Sequence, residues 1–197
     1  MIYKTALKVA HTLDAKGYIK TEEIEIIAYG LFSVLSKLIY GIIILFIGIL
    51  FNNIMESLSF YIAFLFIKKY AGGIHASTES RCFFASFASI VCSLSCISFG
   101  IKFEFLGKII ISLSLALSVF IYVFAPIASE EKPLDKIELE KYAKISRIRT
   151  IVLIVLMIAI SYIRMQNVGV AIGTAIILES VLVILGKIRQ HQLTATR

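Results

Sequence analysis

Long apolar runs separated by short charged segments set the rhythm of this chain, and the runs are the length a bilayer demands. The first extends from about Leu31 to Phe51, the third from Cys82 to about Ile101, the fourth from about Phe105 to Ala125, and the last from Val168 to Leu185. At about 1.5 Å rise per residue, a helix of about 20 residues covers the roughly 30 Å hydrocarbon core. A shorter run, Leu58 to Ile67, follows the turn-forming Asn52, Asn53 and Glu56. To span, it must borrow Ile54 to Ser57, with or without continuing past Lys68; otherwise it is re-entrant. Thr150 to Ile163 supplies the fifth run of six, and Pro126 ends the fourth.

Ahead of the first span, Ile2, Ala6, Val9, Ala10 and Leu13 recur at helical spacing while Lys4, Lys8 and His11 take other positions. That pattern predicts an amphipathic helix lying on the membrane. Gly17 interrupts it, and Thr21 followed by Glu22, Glu23 and Glu25 marks the next helix start, where a hydroxyl and early carboxylates suit exposed N–H groups. The lysines of Met1 to Lys20 leave no uninterrupted apolar core, so this stretch is not expected to be a cleavable signal peptide. The expected fold is all-α: one membrane-embedded domain over 1–197, with interfacial helices at 1–30 and about six transmembrane helices. Cytoplasmic loops are expected at 68–82 and 129–149.

Composition agrees with this pattern. The 197 residues are 59% hydrophobic and 17% charged, with no Trp and a mean hydropathy of +0.91; soluble domains carry about 25% charge. A net charge of +7 would also suit a nucleic-acid partner. The basic residues lie between apolar runs instead of clustering with aromatics, which argues for cytoplasmic retention and against nucleic acid. Cys82, Cys92 and Cys96 show neither CxxC nor paired Cys/His spacing, so neither a disulfide framework nor a metal site is expected. No cofactor is called for.

Orientation follows from where Lys and Arg fall. With both termini inside, sixteen of the twenty lie on the cytoplasmic side: in the N-terminal helix, at Lys68, Lys69 and Arg81, through the charged segment Ser129 to Arg149, and in the tail. Lys102, Lys108 and Arg164 fall outside, and Lys37 lies within a span. The resulting location is a cell membrane, crossed several times.

The polar segment Lys68 to Cys82 carries the candidate chemistry. It ends on a thiol at the start of the third span, preceded by Arg81, with His75 seven residues back. A helix start, a cation and a histidine each favour the reactive thiolate. Seven residues of continuous helix would separate His75 and Cys82 by about 10 Å, too far for proton transfer. The chain must therefore fold back, and Gly72-Gly73 supplies the backbone freedom. Free N–H groups where the third span begins suit a developing oxyanion. Set against this, a His and a Cys at a membrane edge are more often plain interfacial residues.

The run Lys68-x-x-x-Gly72-Gly73-x-His75-Ala76, with Cys82 and Ser86 at fixed offsets, resembles the signature of the accessory gene regulator protein B (AgrB) family, membrane endopeptidases that process quorum-sensing pro-peptides in Gram-positive bacteria. Ala125-Pro126-x-x-Ser129-x-x-Lys132-Pro133-Leu134 resembles that family's second block. The resemblance implies that His75 and Cys82 are catalytic and that Gly73 matches a functional glycine. Lys68 stands where the family has arginine, keeping the charge without the bidentate fork. It further implies an amphipathic AgrD-like pro-peptide as substrate, an acyl-enzyme thioester on Cys82, closure of a thiolactone or lactone ring, and a homodimer. The family's substrates have acidic tails, for which Lys68, Lys69, Lys132 and Lys136 are candidate contacts.

Other residues read more plainly. Cys92 and Cys96, one turn apart in the third span, are expected to be small packing residues. Glu79 reads as a solvated loop acid. Lys37 and Glu179 each lie about 9 Å inside the estimated boundary. They either pair between the first and sixth spans or snorkel to water. The competing function is a small transporter or permease exporting a peptide or solute, for which internal repeats and helices broken at mid-membrane would be expected.

Overall fold

Every apolar run folds as helix, because in lipid the backbone N–H and C=O groups must be satisfied within the segment. The computed structural model describes residues 2–73, 79–127, 135–163 and 165–195. In chain order the helices are α1 (Ile2–Ala15), a single 3-10 turn (Thr21–Glu23), α2 (Ile24–Leu50), α3 (Ile54–Ala71), α4 (Glu79–Lys102), α5 (Glu104–Phe124), α6 (Lys136–Tyr162) and α7 (Gln166–Ala195). The protein is an all-α polytopic membrane protein.

Among the described residues six long helices follow α1, where the sequence leads one to expect six spans. Four of them, α2, α4, α5 and α7, are long and apolar enough to cross a membrane. The other two are shorter of apolar sequence. Glu56, Lys68 and Lys69 lie within the 18 residues of α3. The first half of α6 is charged, and its apolar part from Thr150 to Tyr162 reaches only about 20 Å.

The chain divides into two compact units, Met1–Ile43 and Ile44–Arg197. In the first, the apolar stripe of α1 is spent on protein. Ala6 and Ala10 are fully buried, and Ala10 forms a cluster with Ile24 and Ala28, flanked by Tyr3, Leu7, Ile19 and Ile27. Val9, on the edge of that stripe, stays exposed. The helix start after Gly17 lies where the acidic run predicts, by a different device. Glu23 accepts the Lys20 N–H at 3.0 Å, whereas the Thr21 hydroxyl, expected to cap, donates to Asp14 at 3.1 Å.

The second unit is organised around α7, which packs against α3, α4, α5 and α6. Of its most apolar stretch 67% is buried, against 22% for α4 and α5. Small residues make this possible, since without Cβ branches helix backbones approach closely. A Cβ added at Gly173 would sit 3.3 Å from both Ser114 Oγ and Met157 Sδ. Hydroxyls within this core turn back on their own helices: Thr150 donates to Ser146, Thr174 to Val170 and Ser180 to Ile176.

Two expected loops are shorter than the sequence suggests. The segment 68–82 is helical to Ala71 and again from Glu79. The charged stretch 129–149 is helix from Lys136 onward, capped by Asp135, whose carboxylate accepts the Glu138 N–H at 2.6 Å. Asp135-x-x-Glu138 is a legible N-terminal signal of the kind that opens helices, hidden here by a density of charge that reads as loop.

Candidate active site at the end of α3

α3 ends because Gly72 leaves helical geometry, with φ +77° and ψ −134°, and Gly73 follows at φ +124°. Such conformations are essentially reserved for glycine. The turn is built against a distant segment. Ala125 closes α5, the Ala125-Pro126 peptide bond is cis, and the next residue, Ile127, forms a parallel bridge with Gly72. Its N–H donates to the Ala71 carbonyl at 2.9 Å. A Cβ on Gly72 would collide with the Ile127 carbonyl oxygen.

Lys68, in the last turn of α3, reaches forward over this turn. Its Nζ donates to the Gly72 carbonyl at 2.6 Å, satisfying one of the carbonyls a helix end leaves without a partner. The same Nζ lies 3.7 Å from Glu179 Oε2 on α7. Glu179 is fully buried, and neither carboxyl oxygen has a hydrogen-bond partner among the described residues. Depth alone suggests Lys37 as the partner of Glu179; the structure sets Lys68 beside it. Gly73 fits under this pair, since a Cβ there would come within 2.5 Å of Lys68 Nζ and 3.3 Å of Leu182 Cβ.

Arg149 of α6 supports the same end of α3 from another side. Its guanidinium lies 4.4 Å from the Phe66 ring centroid and 4.2 Å from that of Tyr70, and it donates to the Phe66 carbonyl. Tyr70 in turn meets Tyr142 edge-on at 5.2 Å. An arginine is suited to this place because its flat, weakly hydrated cation stacks on rings while still donating.

Of the residues singled out in the sequence, Lys68, Gly72 and Gly73 are brought together in one turn. Cys82 and Ser86 lie one helical turn apart at the start of α4, both half-buried. Cys82 is a free thiol in the first turn, the position where helix N–H groups lack intrahelical partners. His75 and Lys132 lie outside the described residues. Lys69 is exposed beside Tyr70, and Lys136 is exposed at the first position of α6. Cys92 and Cys96, expected as small packing residues, are exposed along α4.

Two contributors escape sequence reading, and a third is visible without its partner. Ile127 acts through its backbone and leaves no side-chain signal. Arg149 looks like one more charge in a mixed stretch. Glu179 does stand out as an acid within a span, but nothing local identifies Lys68 as its cation.

The chain matches the family model for accessory gene regulator B over residues 6–183. An AgrB-like protein of Clostridium perfringens strain SM101 is 26% identical over 190 residues, covering 92% of this chain and 87% of that one. A second AgrB-like protein, from Clostridium perfringens strain 13, is 26% identical over 186 residues, covering 90% of this chain and 85% of its own. Both names state a family likeness and no activity. No solved structure matches the chain. With nearly its whole length matched and both blocks of the resemblance meeting at Gly72 and Ile127, this chain belongs to the accessory gene regulator B family.

Proposed function

We propose that the protein is a membrane cysteine endopeptidase that cleaves a small AgrD-like pro-peptide and promotes its cyclisation, with Cys82 as nucleophile and His75 as base. Family membership places it in accessory gene regulator quorum-sensing peptide processing, and its apolar helices make it a multi-pass membrane protein. The observation that carries the finer reading is the Gly72–Ile127 bridge. It joins the two blocks of the resemblance at the root of the segment that runs through His75 into the first turn of α4. Both termini are cytoplasmic in this reading, which puts Cys82 and its substrate on the same side, and the working form is a homodimer.

Chemically, the Cys82 thiolate attacks the carbonyl carbon of the scissile peptide bond, with free N–H groups at the α4 start facing the developing oxyanion. The C–N bond breaks, His75 gives its proton to the leaving amine, and the substrate's N-terminal part remains as a thioester on Cys82. A thiol or hydroxyl within that part loses its proton to His75, attacks the thioester and expels the Cys82 thiolate. A thiolactone or lactone ring closes. The thioester keeps the acyl group activated, so no ATP is needed. Lys69, Lys132 and Lys136 are proposed contacts for the acidic substrate tail.

Co-expression with a small AgrD-like pro-peptide, followed by mass spectrometry, tests the reading. Cys82→Ala and His75→Ala are each expected to abolish cleavage at unchanged membrane levels. Cleavage retained by Cys82→Ala would remove the endopeptidase.

A further inference from the structure

We propose that Glu179 is a positioning residue for this site: through Lys68 it holds the Gly72-Gly73 turn from which the His75 segment departs. The inference rests on the endopeptidase reading only for its catalytic consequence, since the positioning itself is a property of the fold.

A fully buried carboxylate without a hydrogen-bond partner is costly. As an ion pair it is poorly made, because 3.7 Å lies beyond hydrogen-bond length. Lys68 places its short bond elsewhere, at 2.6 Å on the Gly72 carbonyl. The ammonium therefore lies between two acceptors, one of which is the turn. Its four-carbon stem is flexible and its side chain is 23% exposed, so without an anion behind it Lys68 would swing toward water and release Gly72. Glu179 removes that freedom.

The fit of Gly73 points the same way. The space a Cβ would need there is taken by Lys68 Nζ and by Leu182. Leu182 lies three residues beyond Glu179 on α7, so α7 sets both the position of the ammonium and the path of the chain beneath it. The two open oxygens of Glu179 also match an arginine fork. Arginine at position 68 would bond this carboxylate and Gly72 together.

The experiment uses the full chain in native membranes and in nanodiscs, with two readouts: pro-peptide cleavage rate and hydrogen exchange at the Gly72 and Ile127 amides. Glu179→Gln is expected to slow cleavage about a hundredfold, the scale on which a misplacement of about 1 Å from outside the chemistry acts. It is also expected to speed exchange at both amides about tenfold by local opening. Lys68→Arg, which can still donate to the Gly72 carbonyl, is expected to keep exchange at both amides near wild type. The double variant Lys68→Met/Glu179→Leu, which removes the buried charge and its partner together, is expected to accumulate normally yet cleave as poorly as Glu179→Gln. Wild-type exchange in Glu179→Gln, or restored cleavage in the double variant, would overturn the inference. Should Glu179→Gln fail to accumulate, the double variant decides by the same two readouts. If Cys82→Ala still cleaves, the endopeptidase reading fails while the exchange measurement continues to decide the role of Glu179.

Discussion

The backbone N–H of Ile127 donates to the carbonyl of Ala71 at 2.9 Å, tying the exit of α5 to the exit of α3 across more than fifty residues of chain. Two irregular segments thereby satisfy each other where both helices have ended, as backbone near a membrane must. The bond also aligns Gly72 with Ile127. Everything placed by the turn that follows depends on this seam.

Gly72→Ala is the direct probe of the seam. The substitution meets two obstacles, a left-handed backbone that costs about 1–3 kcal/mol for a residue with Cβ and a collision with the Ile127 carbonyl. A lowered melting temperature in detergent and loss of peptide processing are expected together. An unchanged melting temperature would mean that the turn re-forms without Gly72.

Asp135 is expected to matter through its cap alone. Its carboxylate accepts the Glu138 N–H at the start of α6. Asp135→Ala should destabilise the protein by about 1 kcal/mol, and Asp135→Ser should recover most of that loss. Thermal unfolding of the two variants checks it; equal loss in both would show that charge, not capping, is what Asp135 provides.

Arg149→Lys keeps the charge and removes the stack on Phe66 and Tyr70. A cost of about 1–2 kcal/mol is expected, from the lost cation–π contacts and the carbonyl bond. Arg149→Met should cost more. If lysine proves as good as arginine in unfolding experiments, ring stacking does not hold α6 to α3.

Thiol labelling separates the cysteines and tests the orientation. Cys82 is half-buried in the first turn of α4, while Cys92 and Cys96 are exposed along it; Cys92 lies about 20 Å from the helix start at 1.5 Å per residue. In inverted vesicles a charged, impermeant maleimide is expected to modify Cys82 alone. In right-side-out vesicles it should modify none of the three. Labelling of Cys82 from the outer face would reverse the proposed topology.

Helices and site differ sharply in how far the sequence reveals them. Six long helices after an amphipathic one are readable because each carries an apolar run, which in four of them extends over the bilayer's width. The start of α6 is hidden because Lys136 to Arg149 has a loop's composition, although Asp135 and Glu138 mark its cap. The outward exposure of Cys92 and Cys96 is not readable, since a uniformly apolar helix does not reveal which face meets protein and which meets lipid.

Residue order alone is enough to place the chain in a membrane as helices, to require a turn at Gly72-Gly73 if His75 is to reach Cys82, and to set those two residues at one membrane edge. These are local properties, written in composition, spacing and backbone freedom. That Ile127 completes the Gly72 turn and that Glu179 stands behind Lys68 emerge from the folded arrangement instead. Such pairings join residues more than fifty and more than a hundred positions apart. They depend on how α7 seats against α3, and that seating comes from packing among all the neighbouring helices, which no single stretch of sequence encodes.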